Sequence, residues 1–265
     1  MNLPPLDARY EAPARFLQDR VVLVTGAGRG LGRAVALACA AHGATVALLG
    51  RRPEKLAETY DAIAAAGGRD PAAIPLDLAQ AGDREFDTLA QVLRRDLGRL
   101  DAIVHCAVRM DPLSPLRDQS MEHWLAHLRV NLVAPFALTR ACLPLLGEAP
   151  DGAVVFTGET HGASPAAYWG AFAVAKAGLA TLARIWTDEC EHAGRPRFHV
   201  VVPGPIATPQ RRQSHPGESA ASLAPPEAVA PAYLRLLGPE GPACGVGPLQ
   251  IVTHSTGVPP GNRLN

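Results

Sequence analysis

The stretch Val21–Gly32, which reads VVLVTGAGRGLG, decides the fold of this chain of 265 residues. Its apolar first half is typical of a buried strand, and the glycine-rich turn Thr25–Gly32 runs into a helix. Glycines let a backbone turn tightly and come close to a ligand, while the free N–H groups at a helix start favour negative charge. The stretch therefore predicts a strand, a turn suited to a pyrophosphate, and a helix. Taken alone, the pattern is also that of a plain tight turn.

Apolar runs of strand length recur along the chain and alternate with stretches of helical periodicity. The predicted strands are Val21–Thr25, Thr45–Leu49, Ala73–Leu76, Ala102–His105, Ala153–Thr157, His199–Val202 and Leu249–Thr253. The predicted helices are Gly32–His42, Glu54–Ala66, Phe86–Leu97, Met121–Leu146, Ala166–Glu191 and Glu227–Leu237. Such alternation implies right-handed βαβ crossovers. We therefore predict an α/β fold, a Rossmann-like, doubly wound, seven-stranded parallel sheet with helices on both faces.

No repeat or linker interrupts this alternation, and we predict a single domain over residues 20–254. Residues 1–19 form an N-terminal extension and residues 255–265 a C-terminal tail. The longest segment without clear periodicity, residues 206–226, is rich in Pro, Ser, Ala and Arg. It follows the carboxyl end of a predicted strand, where α/β proteins bind ligands, so we interpret it as a substrate lid.

The composition argues against several classes of protein. Lys and Arg together number 25, as do Asp and Glu, and the resulting net charge of zero argues against a nucleic-acid binder of the basic-patch type. The N-terminus has no long apolar run, and no uncharged apolar stretch approaches the ~18 residues of a membrane span. We expect neither a signal peptide nor contact with a membrane.

The cysteines are odd in number, widely spread and without a CxxC pair: Cys39, Cys106, Cys142, Cys190 and Cys244. This pattern predicts neither a disulfide framework nor a zinc ribbon, and it fits a reducing cytoplasm best. The pairs His105-Cys106 and Cys190 with His192 lack the four-ligand spacing of structural zinc, so no metal site is expected.

Arginines follow the second predicted strand, where an NAD-specific fold would usually place an acidic residue for the ribose 2′-hydroxyl. Arg51 and Arg52 there, with Arg29 in the glycine turn, suit a 2′-phosphate, because guanidinium groups bind phosphate in a bidentate manner. NADP(H) is favoured over NAD(H). The alternative is that a chain with 23 arginines scatters them over its loops.

Five motifs, in order and spacing, resemble those of the short-chain dehydrogenase/reductase family. They are Thr25–Gly32, Asp77-Leu78, Val130-Asn131, Lys176, and Pro203-Gly204 followed by Thr208. The resemblance extends from about Arg20 to Val252. Within the family the chain is most similar to the YciK-like oxidoreductases, on the residues Leu48–Arg51, Val154–Thr157 and Trp169–Ala171.

The resemblance implies a small-molecule substrate with a carbonyl or alcohol group, and a cofactor site spread along the chain. Its residues would be Gly26, Arg29, Gly30, Leu31, Gly32, Arg51 and Arg52, with Asp77 and Leu78 beside the adenine, Ala107, Lys176 on the ribose, and Pro203, Gly204, Ile206 and Thr208 beside the nicotinamide. Asn131 would hold a water relay. The resemblance also implies a homodimer or homotetramer formed through the long helices Met121–Leu146 and Ala166–Glu191.

Three positions depart from the family's active-site pattern. The catalytic Tyr-x-x-x-Lys pair reads Phe172 and Lys176, and the family's serine position is Glu159. The usual Asn-Asn-Ala-Gly turn reads His105-Cys106-Ala107-Val108. A phenyl ring has no proton to give, and the loss of a general acid typically costs ~10²–10⁴ in rate. We therefore expect the standard reaction to be crippled.

Two side chains could replace the missing acid. Glu159, if buried beside apolar groups, could be protonated near neutrality and donate, and Tyr168 would lie one helical turn before Phe172 near the same face. The plainer interpretation is a solvated Glu159 and a packing role for Tyr168. Two functions thus stay open: an NADP(H)-dependent oxidoreductase with a replacement acid, or a catalytically silent NADP(H)-binding sensor or assembly partner.

Only two of the 25 basic residues are lysines, Lys55 and Lys176. In so arginine-rich a chain, a lysine at the family's lysine position suggests that a compact ammonium is still needed there. We therefore expect Lys176 to keep its cofactor-binding role although Phe172 has lost the proton-donating one.

Overall fold

The computed structural model describes residues 3–191, 195–238 and 247–253. The predicted C-terminal tail 255–265, Cys244 and His192 lie outside the described residues. In the described ranges eight strands form one parallel sheet: β1 (Pro5–Asp7), β2 (Val21–Thr25), β3 (Thr45–Gly50), β4 (Ala72–Pro75), β5 (Ala102–His105), β6 (Ala153–Thr157), β7 (Arg197–Val202) and β8 (Leu249–Val252). Their order is β1-β8-β7-β6-β5-β2-β3-β4.

Helices connect the strands and cover the sheet. They are α1 (Gly30–Ala41), α2 (Pro53–Ala65), α3 (Asp83–Leu97), α4 (Met121–Leu128), α5 (Ala134–Glu148), α6 (Thr160–Ala163), α7 (Gly170–Glu189), α8 (Pro209–Ser214) and α9 (Ala230–Leu237). The order of the strands reverses at β2, which lies between β3 and β5. In open α/β sheets such a reversal leaves a crevice at the carboxyl ends of the strands.

Both faces of the sheet are buried. Val22 and Val24 of β2 pack in one apolar cluster, which also holds buried residues of α1, α2 and α9. The alternate residues Val21 and Leu23 pack in a second cluster, with residues of α3, α5 and α7. Burial on both faces explains why the strands are continuous apolar runs. The predicted doubly wound α/β fold is confirmed.

The sheet has one strand more than the seven predicted. The additional strand, β1, lies in the N-terminal extension and pairs with β8 at the edge of the sheet, with Leu6 opposite Ile251. A run of three residues that begins with Pro5 shows no strand periodicity in the sequence. Proline is tolerated at the first residue of an edge strand, because its missing N–H breaks no interior ladder.

Four predicted helices differ from the observed ones by three residues or more. The helix predicted from Phe86 begins at Asp83. The stretch Met121–Leu146 is two helices, α4 and α5, joined by a turn of π-helix at Arg129–Val133. The predicted helix Ala166–Glu191 begins only at Gly170, because the backbone of Tyr168 has a φ of 75°, outside the helical region. The predicted helix Glu227–Leu237 begins at Ala230, after a short 3₁₀ turn.

The combined segment Met121–Glu148 has the length and the mean hydropathy of a membrane span. More than half of its most apolar window, 56%, is nevertheless buried inside the domain. Leu138, Cys142 and Leu145 of α5 pack in the second apolar cluster. The segment therefore serves here as a core helix of the α/β domain.

Candidate functional site

A cleft of about 460 Å³ lies at the carboxyl ends of the central strands. All the residues that the sequence suggested for a cofactor line it: Gly26, Arg29, Gly30, Leu31, Gly32, Arg51, Arg52, Asp77, Leu78, Ala107, Lys176, Pro203, Gly204, Ile206 and Thr208. Of the suggested catalytic residues, Glu159 and Lys176 line the cleft, while Asn131, Tyr168 and Phe172 do not. The cleft is thus lined by all the suggested cofactor residues but by only two of the five suggested catalytic residues.

The glycine turn is built for close backbone approach. Gly26 has a φ of 69°, and a Cβ there would lie 2.9 Å from the Cα of Ala107. The Oγ1 of Thr25 accepts the N–H groups of Cys106 at 3.1 Å and Ala107 at 3.0 Å, which ties the turn to the end of β5. At the start of α1, Arg29 makes no side-chain cap. The first N–H groups of this helix are therefore available to an anion.

Four arginines surround the outer end of this turn. Burial, and then the charges of Arg52, Arg51 and Arg212, lower the pKa of the Arg29 guanidinium. In the described part of the chain neither Arg29, Arg51 nor Arg52 forms an ion pair with a carboxylate. Like charges gathered without a counter-charge repel one another, and a bound phosphate would relieve that repulsion.

Lys176 supplies a buried cation at the other end of the cleft. Its side chain extends from α7, the residue is 6% exposed, and Nζ donates to the carbonyl oxygen of Thr157 at 2.8 Å. Burial lowers the pKa of this lysine to about 8, although the charges of Glu159 and Cys106 act in the opposite direction. The ammonium is therefore held in place and gives up its proton more easily than an ordinary lysine.

Phe172 does not line the cleft, although its neighbours Met110 and Trp169 do. It is 3% exposed and packs in a small apolar cluster with Met110, Trp169 and Ala173. The position that carries a tyrosine hydroxyl in the family pattern is thus occupied by a packing side chain.

Glu159 lies in the cleft wall as a hydrogen-bond acceptor. Its Oε2 accepts the backbone N–H of His161 at 2.6 Å and lies 3.0 Å from Nδ1 of the same residue. The carboxylate thereby caps the short helix α6. Its side chain is 17% exposed, so it is neither a freely solvated loop carboxylate nor a group enclosed by apolar neighbours. In this arrangement one of its two oxygens is engaged as an acceptor of the His161 backbone N–H.

The prediction that Tyr168 lies one helical turn before Phe172, near the same face of the helix, is wrong. The residue precedes α7, is 56% exposed and does not line the cleft. Because the helix has not yet begun, Tyr168 is not one helical turn before Phe172 on a shared face. In this conformation Tyr168 does not contribute its hydroxyl to the lining of the cleft.

Asn131 holds a loop in place. It sits in the π-helical turn between α4 and α5, where its side chain accepts the N–H of Arg109 at 3.1 Å and donates to the carbonyl oxygen of Arg109 at 2.8 Å. These two bonds fix the segment that follows β5 along the cleft. The turn of π-helix places a polar side chain in the middle of an otherwise apolar segment.

The sequence named Cys106 only within the altered turn His105–Val108 and in a rejected metal pair, although this residue lines the cleft. Its Sγ lies 3.5 Å from Oγ1 of Thr157, which in turn is 3.1 Å from the hydroxyl of Tyr233. Burial raises the pKa of the Cys106 thiol to about 11, so the group stays protonated at neutral pH. Its position immediately after β5, at the carboxyl edge of the sheet, was the available signal.

The predicted lid contributes only its first part to the cleft. The lining residues from this segment are Ile206, Thr208, Pro209, Gln210, Arg211, Gln213 and Ser214. Arg211 is held by Glu218 at 2.6 Å, within the same segment. Residues 215–226 do not line the cleft. The helix α8 therefore forms one wall of the site.

The sequence profile described as short chain dehydrogenase matches residues 20–219 of the chain. The uncharacterized oxidoreductase YciK of Escherichia coli (strain K12) is 36% identical over 229 residues, which cover 86% of this chain and 90% of the relative.

Two solved structures resemble the chain closely. A short chain dehydrogenase from Shigella flexneri 2a str. 301, complexed with NADP, has a TM-score of 0.86 and 33% identity, and the match covers 90% of this chain and 99% of that one. A short chain dehydrogenase from Escherichia coli CFT073, complexed with NADPH, has a TM-score of 0.86 and 34% identity with the same coverage, 90% and 99%.

Proposed function

The chain belongs to the short-chain dehydrogenase family, and we propose that it is an oxidoreductase that binds NADP(H) and acts on a carbonyl or alcohol group of a small molecule. The observation that carries the proposal is the charge arrangement of one cleft. Three guanidinium groups, those of Arg29, Arg51 and Arg52, line its outer end with the charge of Arg212 nearby, and the buried ammonium of Lys176 lies at its inner end.

The residues at the outer end fit the cofactor. The turn at Gly26 leaves no room for a Cβ, because the backbone of Ala107 lies there, so this glycine lets the turn pack against the end of β5. The N–H groups at the start of α1 would bind the pyrophosphate, and Arg29, Arg51 and Arg52 would bind the 2′-phosphate that distinguishes NADP(H) from NAD(H). The relatives complexed with NADP and NADPH support this assignment. When bound, the cofactor supplies or accepts the hydride.

Lys176 has two roles in this proposal. Its ammonium would bind the ribose hydroxyls, and it is the proton donor that fits the cleft best now that residue 172 is a phenylalanine. A lysine with a pKa of about 8 is mostly protonated at neutral pH, and it gives up its proton more easily than an ordinary lysine. Both properties suit a general acid. The other candidate, Glu159, has one carboxyl oxygen engaged by the backbone N–H of His161 and close to Nδ1 of the same residue.

A binding titration run beside a turnover assay tests the proposal. The fluorescence of bound NADPH would be titrated and compared with that of NADH, and NADPH consumption would be followed with a panel of aldehydes and ketones. We expect NADPH to bind at least tenfold more tightly than NADH, and slow turnover with at least one carbonyl compound. Equal affinity for the two nucleotides would refute the assignment of the arginine end.

One observation favours a second function, a catalytically silent NADP(H)-binding sensor or assembly partner. Phe172 has no hydroxyl, and one carboxyl oxygen of Glu159 is engaged by the backbone N–H of His161, so the proton donors of the family pattern are absent at both replaced positions. Saturable NADPH binding without consumption across the whole panel would favour this function over the first.

We also propose that the protein assembles as a homodimer or homotetramer in the cytoplasm. Apolar side chains remain exposed on the two long helical segments: Leu125, Val133 and Phe136 on the first, Val174 and Ile185 on the second. Contiguous exposed apolar residues favour association. The odd number and wide spread of the cysteines in the sequence fit a reducing compartment.

A further inference from the structure

Two histidines and a carboxylate meet where the segment after β5 contacts α4. The Nδ1 atoms of His123 and His127 lie 3.6 Å and 3.8 Å from Oδ2 of Asp111. One donor atom from each of the three residues falls within 4.8 Å of the others. The two histidines are spaced i and i+4 on α4, which places them on one helical face, and their ring centroids are 4.2 Å apart.

We propose that Asp111, His123 and His127 bind a divalent transition-metal ion, with Zn²⁺ as the best match. Two imidazoles and one carboxylate suit zinc, cobalt or nickel, whereas magnesium and calcium prefer sites made of oxygen ligands alone. Ligand atoms of a tetrahedral zinc site lie about 2.0–2.2 Å from the ion, hence roughly 3.3–3.5 Å from one another. The two distances to Asp111 exceed this by a few tenths of an ångström, which small rotations of the side chains can close.

The surroundings of the three residues suit a partly buried site. His127 is 2% exposed, while the side chains of His123 and Asp111 are 24% and 30% exposed. Asp111 also lines the cleft, whereas His123 and His127 do not, so the cluster adjoins the cleft through its carboxylate. Three protein ligands leave one tetrahedral position free, for water or for a substrate oxygen.

In the present arrangement the guanidinium of Arg109 contacts the carboxylate that would bind the ion. The Nη2 of Arg109 donates to the same Oδ2 of Asp111, at 3.0 Å. Its Nε is buried without a hydrogen-bond partner among the described residues, so the guanidinium is only partly satisfied there. The Nδ1 of His127 also lies 3.0 Å from the carbonyl oxygen of His123. Metal binding would exchange these two contacts for metal–ligand bonds, with Arg109 turning towards solvent.

Metal titration of the full chain, freed of metal by dialysis against a chelator and carrying no affinity tag, tests this proposal. We expect one Zn²⁺ per chain by calorimetry, and one Co²⁺ with the visible absorption bands of a four-coordinate ion. His123→Ala and Asp111→Asn should each weaken Zn²⁺ binding at least tenfold. Arg109→Gln should strengthen it, because the competing cation is removed. Mg²⁺ should not bind at the same concentrations.

A matched control comes from His42, whose Nδ1 also lies near the carbonyl oxygen four residues earlier, that of Ala38. His42→Gln should leave zinc binding unchanged. Because His127 is buried, His127→Ala could fail to fold, and the test therefore relies on the more exposed His123 and on Asp111. Undiminished Zn²⁺ binding by the His123→Ala and Asp111→Asn variants, or no binding by the wild type, would overturn the proposal. Neither result depends on the binding of NADPH.

Discussion

The ammonium of Lys176 lies 5.8 Å from the centroid of the Phe172 ring, one helical turn away on α7. This distance is within the range of a cation–π contact, which favours the charged lysine. Phe172 faces the apolar cluster of Met110 and Trp169, whereas Lys176 lines the cleft and donates to Thr157. The pair thus keeps a cation beside the site without the hydroxyl that would normally pass a proton to the substrate.

Phe172→Tyr should raise reductase turnover while leaving NADPH binding nearly unchanged. The new hydroxyl would sit one turn from Lys176, whose charge lowers the pKa of a phenol. A general acid typically contributes ~10²–10⁴ in rate, and we expect about tenfold or more here, most of all when Glu159→Ser restores the family's serine. Single-turnover NADPH oxidation with a carbonyl substrate measures the gain.

Tyr168→Phe is the matched control, since it removes a tyrosine hydroxyl that is exposed and outside the cleft. This variant should behave as the wild type. If wild-type protein reduces a carbonyl compound briskly and Phe172→Tyr slows it, the site is not degraded and a dedicated acid is already in place.

Arg51→Asp should reverse or erase the preference for NADPH over NADH. A carboxylate repels the 2′-phosphate but accepts a hydrogen bond from the ribose 2′-hydroxyl of NADH. The loss of one charge-assisted contact is worth about 1.5–3 kcal/mol, or roughly ten- to a hundredfold in NADPH affinity. Fluorescence titration with both nucleotides measures the ratio.

Arg95→Asp makes the same change on the outer surface of α3, where Arg95 is 72% exposed and paired with Asp96. Its nucleotide preference should equal that of the wild type. An Arg51→Asp variant with an unaltered ratio would mean that the adenosine end of the cofactor lies elsewhere.

The residues that the sequence suggested for the cofactor all line one cleft, because many of them follow strand ends, which can be located from local patterns. Gly26 and Arg51, for example, come immediately after β2 and β3. Features that depend on long-range contacts were missed. Arg212 lies near Arg29 because α8 packs against the glycine turn. The strand β1 forms by pairing with β8 at the edge of the sheet.

The suggested catalytic residues were placed less accurately from the sequence, because their positions depend on backbone geometry and long-range contacts. Phe172 and Lys176 share a helix and could be placed by spacing alone, whereas Tyr168 was misplaced because a positive φ delays the start of α7. The histidine pair His123 and His127 has helical spacing in the sequence, but its meeting with Asp111 depends on how the segment after β5 folds. The expectation of no metal considered other histidines and cysteines and overlooked this pair.

Self-association should be visible in solution. We expect light scattering at micromolar concentration to give two or four times the 27.8 kDa of one chain. Phe136→Glu places a charge on α5 beside exposed apolar residues: Phe136 is 38% exposed, and Val133, in the π-helical turn just before α5, is 50% exposed. The variant should dissociate, because burying an unpaired carboxylate at an interface is costly.

Leu116→Glu serves as a control, since Leu116 is 61% exposed but lies outside the two long helical segments. It should keep the mass of the wild type. A wild-type particle of 27.8 kDa would show that the exposed faces of α5 and α7 do not associate.

Stability should depend on pH through Lys176. Its pKa falls from 10.5 to about 8 in the folded chain because of burial. Between pH 8 and pH 10.5 the lysine is more fully protonated in the unfolded state than in the folded state. The free energy of unfolding therefore rises as the pH increases across this interval, and this gain is lost as the pH falls back to 8. The difference in pKa corresponds to about 3 kcal/mol over the whole interval.

Comparison with Lys176→Met isolates this contribution, because the other titrating groups are common to both proteins. Urea unfolding at pH 7 to 10 should show Lys176→Met to be the more stable protein at pH 7, with an advantage that shrinks as the pH rises. Lys55→Met, which removes a surface lysine paired with Glu58, tests whether the loss of any lysine changes the slope. Parallel curves for the wild type and Lys176→Met would mean that the ammonium is not held away from water, and its role as a proton donor would lose its physical basis.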